Sequence, residues 1–172
     1  MRKPVVIDTN VLVVANAGPE HSRICALNCM KRLKEIQENG QVVLDSGWEI
    51  LTEYAKNQPR KSQPGVGYQF WKWLLNRSGS ADHCSWVNIT HNDFRGYTEF
   101  PDHDGLTQFD LSDRKFVAVS IAHGSYPPIL QATDSKWMGW KRALVECGVS
   151  VEFLCKAEIQ RKYEDKLGRR SK

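Results

Sequence analysis

The sequence predicts a single α/β domain built around a mostly parallel sheet. Three observations carry that prediction. Short β-branched runs alternate with stretches of helical apolar periodicity, 172 residues suffice for one sizeable core, and 41% apolar with 26% charged residues is the balance of a folded globular chain. No apolar run approaches the roughly 18 residues of a membrane span. The opening MRKPVVID moves from a basic pair into a strand-like run too short for a secretion signal, so a cytoplasmic protein without a membrane partner is expected.

Taken in order, PVVID reads as the first strand. HSRICALNCMKRLKEIQENG follows as a helix, because Ala26, Cys29, Met30 and Leu33 fall on one face and Gly40 stops it. QVVLD is a second strand, SGWEILTEYAKN a helix, and QPRKSQPG a break. VGYQFWKWLLNR predicts a helix and SWVNIT a strand; after an irregular stretch, DLSDRKFVAVSIAHG is a helix closed by Gly124. PPILQATD, SKWMGWKRALVECG and VSVEFLC complete the pattern as strand, helix, strand. The domain is expected over residues 1–155, with 156–172 as a basic tail.

That tail holds seven Lys or Arg against three acids and so contains the whole +4 excess, the rest being balanced at seventeen of each sign. It reads either as a solvated, frayed helix or as a phosphate-contacting arm. Ile159, Tyr163 and Leu167 also permit one apolar stripe, so a helix packed on the body is a further reading. The five cysteines, Cys25, Cys29, Cys84, Cys147 and Cys155, are odd in number and lack a Cys-x-x-Cys pair, which suggests buried free thiols. Cys25 and Cys29, four apart, could share a metal, but His83, His91 and His103 supply no matching spacing for zinc.

The acids carry the chemical signal. Asp8, in VVIDTNVLVV, stands between branched apolar runs, where a buried carboxylate is costly unless compensated. In parallel sheets ligands bind beyond the carboxyl ends of the strands, and Asp8 and Asp134 both end strands at that edge. Ser46 to Glu49, SGWE, matches a capping box, with Glu49 reaching back to the cap. Glu53, one turn on, has no such role, and Asp45 reads as a helix-entry or supporting group. Asp113 aligns with Phe116, Val117, Ser120 and Ile121, the stripe expected to face the sheet, while Asp110 is left as a cap or supporting residue. Asp8, Glu53, Asp113 and Asp134 would then converge. Four such carboxylates repel unless protonated or neutralised, and hard oxygen donors suit Mg²⁺ or Mn²⁺. Paired ions about 3.5–4 Å apart would suit phosphoryl hydrolysis.

In their order, VVIDTNVLV, Glu53 in LTEYAKN, DRKFVAVSIA and ILQATDSKW resemble the four acidic motifs of PIN-domain nucleases, over most of residues 4–155. The resemblance implies a three-layer α/β/α sandwich with a central, mostly parallel sheet. It implies Mg²⁺- or Mn²⁺-dependent endonucleolytic cleavage, of RNA or less often DNA. Residue by residue it implies metal ligation by Asp8, Glu53, Asp113 and Asp134, with polar support from Asn10 and Thr133. Many small relatives are toxins held inactive by an antitoxin or other inhibitory protein, and many are homodimers.

Lys136 departs from the pattern, standing where many relatives place a further acid. It is a candidate contact for the scissile phosphate, as is Arg114. Between the second and third motifs, Tyr68, Phe70, Trp71 and Trp73 are interleaved with Lys56, Arg60, Lys61, Lys72 and Arg77. Such a mixture can stack bases and hold phosphates. Phe70, Trp73 and Leu74 nevertheless have core spacing, leaving Tyr68 and Trp71 for exposed contact. His91 and His103, in or near the loop HNDFRGYTEFPDHDG, are minor candidates for assisting catalysis. A dehalogenase-like phosphatase also begins with an aspartate after its first strand, but needs an acid where Asn10 stands. The alternative from another class is a catalytically degenerate nucleic-acid-binding or protein-interaction module, which would bind without cutting.

Overall fold

The structure, a computed structural model, describes residues 1–59 and 65–170; Arg60, Lys61 and Lys172 lie outside them. The chain runs through β1 (Lys3–Ile7), α1 (Thr9–Ala15), α2 (Arg23–Asn39), β2 (Gly40–Asp45), α3 (Glu49–Lys56), α4 (Val66–Arg77) and β3 (Cys84–Val87). A small hairpin of β4 (His91–Asn92) and β5 (Gly96–Tyr97) follows. Then come α5 (Arg114–Ala122), β6 (Ile129–Gln131), α6 (Lys136–Glu146), β7 (Val151–Phe153) and α7 (Lys156–Arg170).

Five strands pair in parallel in the order β3-β2-β1-β6-β7, and helices flank the sheet to give a three-layer α/β/α sandwich. The first half of the chain builds the sheet to one side of β1 and the second half to the other. The order therefore reverses between β1 and β6, which is where such sheets open a crevice at their carboxyl edge. Val5–Ile7, Val42–Leu44, Ile129 and Leu130 are all buried. Burial on both faces is why these strands are written as unbroken apolar runs rather than alternating ones.

The apolar run after Asp8 belongs to α1 rather than to a strand. Asp8 is extended, with φ −66° and ψ 142°, and its side chain accepts from the Asn10 amide at 2.9 Å, capping the helix. In α4, a Cβ on Gly67 would stand only 1.9 Å from the Leu12 carbonyl oxygen of α1, so glycine is what allows that approach. Phe70 and Leu74 are core, as their spacing predicts, while Tyr68 and Trp71 are half-buried with ring centroids 5.6 Å apart.

The capping box expected at Ser46–Glu49 is not formed. Trp48 at the helix entry is left-handed, with φ 64°, which turns Asp45 back over α3 to accept from the Glu49 and Ile50 amides at 2.8 and 2.9 Å. Glu49 instead accepts from the Tyr97 hydroxyl and pairs with His91 at 2.8 Å. Asp45 is fully buried, as a helix-entry residue.

The described part of the basic tail is the helix α7, most of whose residues are exposed. α7 packs on the body: Ile159 is buried, the Ser22 hydroxyl donates to Glu158 at 2.8 Å, and Cys155 forms a disulfide with Cys25 of α2. The expectation of free thiols therefore fails for Cys25 and Cys155, because the fold closes a separation of 130 residues that spacing does not reveal. Cys29, Cys84 and Cys147 are free. Among the described residues no helix is long and apolar enough to cross a membrane.

Candidate acidic site at the carboxyl edge of the sheet

Asp8 follows β1 and Asp134 follows β6, adjacent strands at the reversal of order. A lattice of amides joins the two ends. Asn10 Oδ1 accepts from the Ala132 amide at 3.0 Å, Asn10 Nδ2 donates to Gln131 Oε1, and the same oxygen accepts from the Asp134 amide at 3.3 Å. Asn10 thus ties the end of β1 to the end of β6. Thr133 stands half-buried in the bend before Asp134. Gln131 is fully buried, and its Nε2 has no hydrogen-bond partner among the described residues. The sequence pattern carries this strand on to Asp134, so its end at Gln131 emerges only from the fold.

A single 3₁₀ turn, Leu111–Asp113, leads into α5 and presents Asp113 at the helix entry. The Ser112 hydroxyl lies 3.3 Å from one Asp113 carboxylate oxygen and the Trp137 indole N–H 3.4 Å from the other. Asp110, at the head of that turn, accepts from the Lys136 ammonium at 2.7 Å. Asp110, Asp113 and Asp134 each bring a carboxylate oxygen to a point where all three lie within 4.8 Å of one another.

Burial and mutual repulsion set the protonation of this group. Desolvation, reinforced by Asp113, Glu53 and Asp134, holds the Asp8 carboxyl well above the usual carboxylate range against the Asn10 amide that lowers it. Asp113 is pushed up to about 6, first by burial and then by Asp134. The hydrogen bond from Lys136 to Asp110 raises the lysine above its ordinary value.

Glu53 is arranged differently. The Thr9 hydroxyl donates to one of its oxygens and the Lys115 ammonium stands 2.5 Å from the other, Lys115 being buried. The Glu53 charge reaches Asp8 and helps raise it, yet among the described residues the carboxylate oxygens that converge are those of Asp110, Asp113 and Asp134. Three hard carboxylates at this separation are a donor set that fits a divalent cation such as Mg²⁺ or Mn²⁺.

Arg114 is engaged inside the fold. It is buried and donates to the Phe109 carbonyl at 3.1 Å, the Arg95 carbonyl at 3.1 Å and the Thr107 carbonyl at 2.9 Å, with its guanidinium 4.6 Å from the Phe100 ring centroid. Its fork geometry is spent on tying the loop before α5 to the body. His91 pairs with Glu49 and His103 with Glu146, so each is engaged away from the three carboxylates. No protein-family model, no curated protein and no solved structure matches the chain.

Proposed function

We propose that this chain is a divalent-metal-dependent nuclease that hydrolyses phosphodiester bonds at the Asp110, Asp113 and Asp134 carboxylates, with Asp8 in their electrostatic reach. The observation that carries the reading is the convergence of those three acids at the crevice between β1 and β6. When bound, Mg²⁺ or Mn²⁺ supplies Lewis acidity at a phosphate oxygen and lowers the pKa of the attacking water. The chain's own residues do the positioning. Asn10 and Gln131 fix the two strand ends, and Trp137 and Ser112 orient the Asp113 carboxylate. We assign the incoming phosphate to Lys136, which is exposed and would exchange Asp110 for it. The preference for RNA over DNA rests on the resemblance to PIN-domain nucleases.

A second reading is a module that binds nucleic acid without cutting. It is favoured by two lysines already neutralising acids of the site, Lys136 on Asp110 and Lys115 on Glu53. End-labelled single- and double-stranded RNA and DNA, incubated with Mg²⁺, Mn²⁺ or chelator, decide between the two. Cleavage that requires metal and is lost in Asp113→Asn supports the nuclease; binding with no metal-dependent product supports the module.

A further inference from the structure

Beside the acidic cluster a cleft of about 500 Å³ runs between α6 and α7. Asp110 belongs to both the cleft lining and the cluster, so the one opens onto the other. The volume lies within the roughly 300–1,000 Å³ of pockets that hold small organic groups. A larger cavity, of about 850 Å³, lies against Lys3 and Gly40 at the amino ends of β1 and β2, at the far end of the sheet.

The cleft combines two ring systems with two ammonium groups. Trp140 of α6 and Tyr163 of α7 are both half-buried in its wall. Phe109 backs Trp140 with ring centroids 4.6 Å apart and itself meets Trp137 nearly edge-on at 4.9 Å, so the indole is braced. Tyr163 lies over Gly139, where a Cβ would stand 3.5 Å from its ring. Lys136 is paired with Asp110, while the Lys166 ammonium donates to the uncharged Ser135 hydroxyl at 2.8 Å. Lys136 is thus held by the acidic cluster, and Lys166 is the cation of the cleft wall whose hydrogen-bond partner carries no charge. That combination suits a flat group attached to an anion.

The geometry points to a base-stacking subsite: the cleft between α6 and α7 takes an unpaired nucleobase on Tyr163, with its adjoining phosphate on Lys166, next to the phosphodiester at the carboxylates. The substrate class rests on the hydrolytic reading of the acidic cluster. The subsite adds a requirement for a single strand, because a base must leave its stack to enter.

The test is binding of a fluorescein-labelled oligouridylate by the full chain in chelator, beside an oligomer of equal length carrying abasic sites in its interior. Stacking on an aromatic residue corresponds to a loss of roughly 5- to 150-fold when the ring is removed. Tyr163→Ala should raise Kd by that order and Tyr163→Phe should stay within about twofold of the wild type, since both rings present a π-face. The abasic oligomer should bind the wild type as weakly as the intact oligomer binds Tyr163→Ala. Equal affinity of the wild type for intact and abasic oligomers, or of Tyr163→Ala and wild type for the intact one, overturns the subsite. Metal-dependent cleavage is read separately on the wild type. Base-dependent binding without cleavage sustains the subsite and sinks the hydrolytic reading; cleavage with base-independent binding does the reverse.

Discussion

The Lys115 ammonium stands 2.5 Å from a Glu53 carboxylate oxygen, and the lysine is buried. A buried cation on one carboxylate changes the division of labour among the acids. Glu53 is neutralised by a buried lysine, whereas Asp110 is paired only with the exposed Lys136 and its oxygen still lies within 4.8 Å of those of Asp113 and Asp134, the trio proposed to meet a cation.

Glu53→Gln should therefore weaken Mn²⁺ binding, followed by calorimetry, at least tenfold less than Asp113→Asn does. Lys115→Met should lower Tm in chelator, because it strands the Glu53 charge beside Asp8 at a cost of about 2–3 kcal/mol. Equal Mn²⁺ affinities in the two carboxamide variants would return Glu53 to the ligand set.

Without metal, stability should depend on pH through Asp113. Its folded pKa of about 6 lies above the ordinary 3.8, so the folded state binds its proton more tightly than the unfolded state. Stability contributed by this group is thus gained as pH falls through 6 towards 4 and is lost again as pH rises. Asp8, raised in the same direction, adds to the trend. In chelator, Asp113→Asn should flatten part of the gain between pH 7 and 4.5, leaving the part due to Asp8, and raise Tm at pH 7. A wild type and variant with parallel Tm-against-pH curves would show Asp113 to be unperturbed.

Asp45 separates a structural aspartate from those of the site. Asp45→Ala removes two hydrogen bonds to the α3 entry, from the Glu49 and Ile50 amides, and should cost about 1–3 kcal/mol. The loss should be the same with and without Mn²⁺, read by urea denaturation. A loss confined to the metal-loaded protein would place Asp45 among the ligands instead.

The Cys25–Cys155 bond ties α7 to α2 across 130 residues. Cys155→Ser, or reduction of the wild type, should lower stability by about 2–5 kcal/mol. Thiol counting under denaturing conditions checks the premise: three free thiols are expected before reduction and five after.

The alternation of apolar runs and helical periodicity in the sequence was enough for the α/β class, because strands buried on both faces must be written as unbroken runs such as PVVI and VVL. It also determined that Asp8 and Asp134 share an edge, since in a parallel sheet every strand ends on the same side. Local pattern does not carry partners distant in the chain. The Lys115–Glu53 ion pair, the exchange of the expected Glu49 cap for Asp45, and the joining of Cys25 to Cys155 each depend on where separate elements dock. Arg114 shows the same division. A basic residue beside a site aspartate reads as a phosphate contact in one dimension, and only the loop folding back over α5 gives it three carbonyl-bearing residues to hold instead. Tertiary structure likewise decided that Asp110 joins Asp113 and Asp134, because a 3₁₀ turn rather than a longer helix precedes α5 and brings both ends of DLSD to one point.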